Sequence, residues 1–129
     1  MELVPTRKLH LLTGRTHPGL AAEIAAHLGV ELVEPNLVDF ANGEVRPRFA
    51  QSVRGADVFV IQSHGSTPGR SVNDSLVEQW IMIDAAKRAS AKRITAVCPY
   101  YGYSRQDRKS KGREPITARM VSDLSLIHI

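Results

Sequence analysis

Short apolar runs alternate along the chain with longer stretches in which apolar residues recur every three or four positions. "KLHLLTG" predicts a first strand ending at Thr13-Gly14. "PGLAAEIAAHLG" predicts a helix with Pro18 in its first turn, Leu20, Ile24 and Leu28 four apart on the inward face, and Gly29 as its stop. "ELVEPNLVDF" reads as extended segments broken by Pro35, and "DVFVIQS" as a second clear strand. In "SVNDSLVEQWIMIDAAKRAS", Val72, Leu76, Ile83 and Ala86 share one helical face. Val77, Trp80 and Ile81 widen that face, and Trp80 is expected in the core. "KRITAVCPYYG" is a third strand, and "EPITARMVSDL" starts another helix with Pro115 near its first turn.

Strand, helix, strand, helix, strand is the order of an α/β fold with a mainly parallel sheet flanked by helices. In such sheets ligands bind beyond the carboxyl ends of the strands. The segment after Arg93–Pro99 lies at that end. It is the most unusual part of the chain: "PYYGYSRQDRKSKGREP" holds all three tyrosines and five basic residues against Asp107 and Glu114.

Composition narrows the class. The 129 residues suit one domain or part of one, and the 43% apolar content supports a core. No apolar run is long enough to span a membrane, and "MELVPTRKLHLLTG" lacks the pattern of a signal peptide. The single cysteine, Cys98, excludes an internal disulfide and reads as a small apolar residue ending a buried strand. A cytoplasmic protein is expected. The formal charge of +4 suits a nucleic-acid binder or an enzyme with phosphorylated substrates, and charge alone does not separate them.

Two stretches carry candidate chemistry. In "DFANGEVRPRF", Asn42-Gly43 signals a turn, with Phe40 before it and Glu44 at its exit. A ring, an amide and a carboxylate this close suit a heterocycle, the ring stacking and the polar groups hydrogen-bonding its edge. The competing reading is a plain β-turn over a half-buried phenylalanine. After the third strand, Gly102 permits a sharp turn, and Arg105 and Gln106 place several donors together. Arg108, Lys109, Lys111 and Arg113 follow with no apolar anchor, as expected of a mobile loop closing over a polyphosphate. The competing reading is a solvated charge run. Neither a Walker motif nor GxGxxG occurs. In "QSHGSTPGRSVND", Ser71 or Asn73 caps the following helix. His64 reads as structural or merely exposed, with no second histidine nearby at metal-ligand spacing.

"DFANGEV", "SVRGADVFVIQS", "VNDSLVEQWIMIDAAKRASAKRITAVCPYYGYSRQDRK" and "REPITARMVSDL", in that order, closely resemble the N-terminal domain of the ribose-phosphate diphosphokinase (phosphoribosyl pyrophosphate synthetase) family, over roughly 8–124. The resemblance implies a phosphoribosyltransferase-like fold. It also implies transfer of diphosphate from ATP to ribose 5-phosphate with Mg²⁺, giving phosphoribosyl pyrophosphate and AMP. By motif, Phe40 stacks on adenine. Asn42, Gly43 and Glu44 belong to the ATP-binding segment, and Arg105 and Gln106 to the ATP-binding pair of the catalytic loop. Arg105 holds phosphate oxygens as the diphosphate moves. Ser52, Arg54 and Arg113 match a regulatory phosphate or ADP site. A homo-oligomer is implied.

The likeness stops at Leu124, and "SLIHI" reads as a truncation or artefact, so the expected organisation is an incomplete ATP-binding domain over 1–124 and a foreign tail over 125–129. His128 does not match the family's metal histidine, and the Mg²⁺ ligands are expected beyond this chain. The chain alone is then expected to be inactive. Two rival readings are a non-catalytic regulatory relative and a nucleic-acid-binding domain using the basic loop and its tyrosines.

Overall fold

The computed structural model describes residues 9–106, 112 and 116–127. Three parallel strands form the sheet: β1 (Leu9–Thr13), β4 (Asp57–Ile61) and β5 (Arg93–Val97). They are ordered β1-β4-β5, with Leu9 opposite Asp57 and Asp57 opposite Arg93. On the far side of β1, a single parallel bridge joins Leu11 to Leu32, and the amide of Val33 donates to the Leu11 carbonyl at 2.9 Å. The chain therefore leaves β1 first to one side and later to the other. Such a reversal opens a crevice beyond the carboxyl ends of the flanking strands, here β1 and β4.

Strand alternation separates two cores. Leu12, Val58 and Val60 pack with Met82, Ile83 and Ala86 of helix α2 (Val72–Arg88). Leu11 and Ile61 pack with Ala21 and Ala25 of helix α1 (Pro18–Leu28). Each helix thus covers its own face of the sheet, as the strand-helix order implied.

Helix α1 turns differently from its expected face, whereas α2 buries the expected Leu76, Ile83 and Ala86 but not the residues expected to widen that face. In α1 the buried line is Ala21 and Ala25, Leu20 and Ile24 are half-buried, and Leu28 is 53% exposed. Large apolar residues drew attention to a neighbouring line, whereas the small alanines let the helix lie close to the strands. In α2, Val77 is 44% exposed and Trp80 is half-buried rather than in the core, while Glu78 and Gln79 are fully buried. The first half of α2 lies over the carboxyl ends of the strands, and its inward face meets polar groups there.

Local signals account for the element ends. Ser71 Oγ accepts from the Asp74 amide at 3.1 Å while Asp74 Oδ2 accepts from the Ser71 amide at 2.7 Å, so Ser71, not Asn73, caps α2 in a closed capping box. Gly29 ends α1 in the left-handed conformation at φ 72°. Between α1 and β4 the chain forms an antiparallel hairpin from β2 (Val38–Asp39) and β3 (Val45–Arg46). β5 ends at Val97, two residues short of Pro99, and a 3₁₀ turn follows at Ser104–Gln106. Helix α3 runs from Thr117 to Ile127, passing Leu124 without a break. No helix among the described residues is long and apolar enough to cross a membrane. Arg108, Lys109, Lys111, Arg113, Pro115 and His128 lie outside the described residues.

Candidate nucleotide site at the mouth of the sheet

The crevice beyond β1 and β4 is lined by charge. Gly14 follows β1, and a Cβ there would sit 2.2 Å from Gln62 Oε1, so the backbone meets this amide at a distance only glycine allows. Arg15 comes next. Its Nε donates to Glu78 Oε1 at 2.6 Å, its backbone amide to Glu78 Oε2 at 3.1 Å, and its terminal nitrogens to both Asp39 oxygens at 2.9 and 2.7 Å. Arg70 lies 3.2 Å from Glu78 and 3.7 Å from Asp39. Gln62 Nε2 donates to Glu78 Oε2 at 2.6 Å. Glu78 is 0% exposed, and these donors compensate its desolvation. The bond to Asp39 holds Arg15 firmly protonated against partial burial, and the same bond pulls Asp39 below the usual carboxylate range.

None of Arg15, Gln62, Arg70 or Glu78 was singled out from the sequence. One trace was present: Glu78 and Gln79 fall in phase with Ser75, Met82, Ile83 and Ala86 on the inward stripe of α2. Polar residues in phase with a core stripe mark a buried network.

Asp39 immediately precedes Phe40, so this network tethers the hairpin. At the hairpin tip the Phe40 amide donates to the Glu44 carbonyl at 2.8 Å, and the Gly43 amide to the Phe40 carbonyl at 2.9 Å. Phe40 is 46% exposed, and the Arg46 guanidinium lies 5.8 Å from the centre of its ring. Asn42 Nδ2 donates to Glu44 Oε1 at 2.8 Å, and the Glu44 amide to Asn42 Oδ1 at 3.1 Å. The two polar side chains hold one another in place before any ligand arrives. They border a cleft of about 500 Å³ between the hairpin and the first turns of α2, completed by Arg70, Asn73, Asp74, Val77 and Ile81.

The turn after β5 carries the second group. Arg105 and Gln106 are exposed, and the Gln106 carboxamide oxygen accepts from Thr117 Oγ1 at 2.5 Å. Neither lines the hairpin cleft, and nor does Phe40. Asn73 links the two regions: it borders that cleft and accepts from the Tyr103 hydroxyl. Tyr103 is left-handed at φ 65°, an uncommon state for a non-glycine residue. Ser52 and Arg54 are exposed before β4, the Arg54 amide donating to Ser52 Oγ at 3.3 Å, and their expected companion Arg113 is outside the described residues. Cys98 is half-buried just past β5, and burial raises its thiol pKa. His64 is buried and hydrogen-bonded, in keeping with a structural role. Among the described residues no three histidine, cysteine or acidic groups gather to hold a metal.

A family model described as the N-terminal domain of ribose phosphate pyrophosphokinase matches residues 9–126. The ribose-phosphate pyrophosphokinase of Bifidobacterium longum is 56% identical over 124 residues, which are 96% of this chain and 35% of the relative. That of Streptomyces coelicolor is 52% identical over 118 residues, covering 92% of this chain and 35% of the relative. A crystal structure of phosphoribosylpyrophosphate synthetase from Mycobacterium smegmatis superposes with a TM-score of 0.89 at 53% identity, covering 95% of this chain and 40% of that one. The chain thus spans about a third of the length of the relatives it matches. With the sheet order, the hairpin and the sequence match in agreement, the chain belongs to the ribose phosphate pyrophosphokinase family and corresponds to its N-terminal domain.

Proposed function

We propose that this chain is the ATP-binding portion of a ribose-phosphate diphosphokinase, a cytoplasmic homo-oligomeric enzyme of nucleotide biosynthesis. Diphosphate passes from ATP to ribose 5-phosphate, yielding phosphoribosyl pyrophosphate and AMP. The observation that carries this reading is the hairpin tip. An exposed aromatic ring stands beside an amide and a carboxylate that are already oriented by each other.

The roles follow from the chemistry of the groups. Phe40 offers a stacking face, and base–aromatic stacking contributes about 1–3 kcal/mol. Asn42 and Glu44 offer a donor and acceptors to the adenine edge, and Gly43 lets the turn form. Arg105 and Gln106 donate to phosphate oxygens, with the Arg105 guanidinium neutralising charge on the moving diphosphate. Bound Mg²⁺ would supply further neutralisation of the polyphosphate. The described residues do not gather a ligand set for it. Ser52, Arg54 and Arg113 are the candidate positions for a second, regulatory anion, a phosphate or ADP.

The test is a binding titration at several salt concentrations with ATP and with a single-stranded oligonucleotide. ATP binding that Glu44→Ala removes, with no oligonucleotide binding, is the expected result. Oligonucleotide binding that exceeds ATP binding and survives Glu44→Ala would sink this reading in favour of nucleic-acid recognition.

A further inference from the structure

His64 lies in the loop after β4 and is 1% exposed. Gln79 Nε2 lies 3.1 Å from the Val60 carbonyl and 3.5 Å from that of Val97, so the amide nitrogen of Gln79 faces these two oxygens. Gln79 Oε1 is left to accept. It lies 2.6 Å from His64 Nε2 and 3.4 Å from the Cys98 sulfur. Nε2 must therefore carry the imidazole proton. Nδ1 is then the acceptor, and the Gly102 amide donates to it at 2.8 Å. The His64 amide also donates to the Tyr100 carbonyl at 2.9 Å. The fit is close: a Cβ on Gly102 would lie 2.8 Å from His64 Cβ.

Gly102 precedes the left-handed Tyr103, and the Gln106 amide donates to the Tyr103 carbonyl at 2.9 Å. The position of Ser104–Gln106 thus depends on the root that His64 grips. We propose that neutral His64 is a positioning residue that holds the Tyr100–Gln106 turn in the stance presenting Arg105 and Gln106, and that protonating His64 releases the turn. A proton on Nδ1 would face the Gly102 N–H with a second donor, and the bond can only break. The nucleotide role of Arg105 and Gln106 rests on the reading above; the grip itself does not.

The groups packed against His64 are neutral at physiological pH. Gln79 comes from α2, the Cys98 thiol from the end of β5, and the Tyr101 ring lies 5.7 Å away, centre to centre. The carboxylate of the preceding α2 residue, Glu78, is turned to Arg15, Arg70 and Gln62. Burial lowers the imidazole pKa, so the neutral form prevails near neutrality.

The experiment is amide hydrogen exchange by NMR on the full chain between pH 8 and pH 5, corrected for intrinsic rates. Below about pH 6.5, Gly102 protection should fall by up to about tenfold per pH unit, while β1 amides hold. His64→Asn keeps an acceptor opposite Gly102 but cannot titrate, so its Gly102 protection should stay flat across the range. A flat profile in the unmodified chain, or an equally steep one in His64→Asn, overturns the proposal. If His64→Asn fails to fold, Gly102 against β1 amides in the unmodified chain still decides. ATP affinity measured alongside separates the two readings. A pH-sensitive Gly102 in a chain that binds no ATP keeps the grip and removes the nucleotide role. ATP binding with a pH-insensitive Gly102 does the reverse.

Discussion

Arg15 and Glu78, 63 positions apart in sequence, meet through both the side chain and the backbone amide of the arginine, at 2.6 and 3.1 Å. The pair closes the mouth of the sheet and, through Asp39, fixes the base of the hairpin. Its two contacts with carboxylates are unequal in kind. Glu78 is sealed from water, whereas Asp39 is exposed. Removing Glu78 leaves two arginines facing each other. Glu78→Ala should therefore destabilise the chain by about 3 kcal/mol, the lower end for breaking a buried pair because both arginines still reach water. Asp39→Ala should leave the urea midpoint nearly unchanged. Equal shifts for the two variants in urea unfolding would show that burial does not set the hierarchy.

That network also marks where local pattern stops being informative. Periodicity located β1, β4, β5 and both long helices because each buries a stripe that repeats within a few residues. It chose the wrong line on α1, where Leu20 and Leu28 outweigh Ala21 and Ala25 in hydrophobicity although the alanines make the close contact. It could not pair Arg15 with Glu78 or Gln62, because that pairing is created by the order of strands. The hairpin chemistry was easier to read. Phe40, Asn42 and Glu44 lie within one turn, so their adjacency follows from the chain itself. The link through Asn73 to Tyr103 depends on how α2 and the turn after β5 come together, and no local rule contains it.

Two glycines that look alike in sequence should respond oppositely to alanine. At Gly14 the new Cβ would fall 2.2 to 2.4 Å from the Gln62 amide. Gln62 cannot swing away, because it donates to Glu78 and to the Ser75 carbonyl and accepts from the Thr16 amide. Gly14→Ala should cost about 1–3 kcal/mol, as overpacking does. At Gly19, in α1, the nearest atom would be His17 Cε1 at an ordinary 3.5 Å. Gly19→Ala should stabilise by about 0.5–1 kcal/mol through helix propensity and a less disordered unfolded chain. Thermal midpoints moving in the same direction would contradict the contrast.

The capping box at α2 makes a smaller, cleaner test. Ser71→Ala removes the acceptor for the Asp74 amide and should cost about 1 kcal/mol. Asp74 owes its depressed pKa first to hydrogen bonds from Ser71, through the backbone amide and then the side chain. A carboxylate with a lowered folded pKa stabilises above its unfolded value of about 3.9, and that contribution is lost as pH falls through the folded value. Ser71→Ala should therefore also raise the Asp74 titration midpoint, read by carboxyl NMR shifts. The rise should be partial, because the Ser71 backbone amide still donates to the carboxylate; a midpoint that stays put would mean that the Ser71 hydroxyl does not act on Asp74 in solution.

Phe40 supplies the sharpest separation of stability from binding. Its ring is nearly half exposed and takes no part in either core cluster, so Phe40→Ala should shift the unfolding midpoint by less than about 0.5 kcal/mol. If the ring is the adenine platform, the same substitution removes stacking of about 1–3 kcal/mol, equivalent to roughly 5- to 150-fold in ATP affinity. Phe40→Trp, which keeps an aromatic face, should restore most of it. Arg46 sits against the ring and would report indirectly: Arg46→Ala frees one ring face and should change affinity far less than losing the ring. The decisive comparison uses ATP against inorganic triphosphate. Loss confined to ATP places Phe40 at the base, because triphosphate has nothing to stack. Equal loss for both ligands would mean that Phe40 acts by disturbing the hairpin rather than by touching adenine.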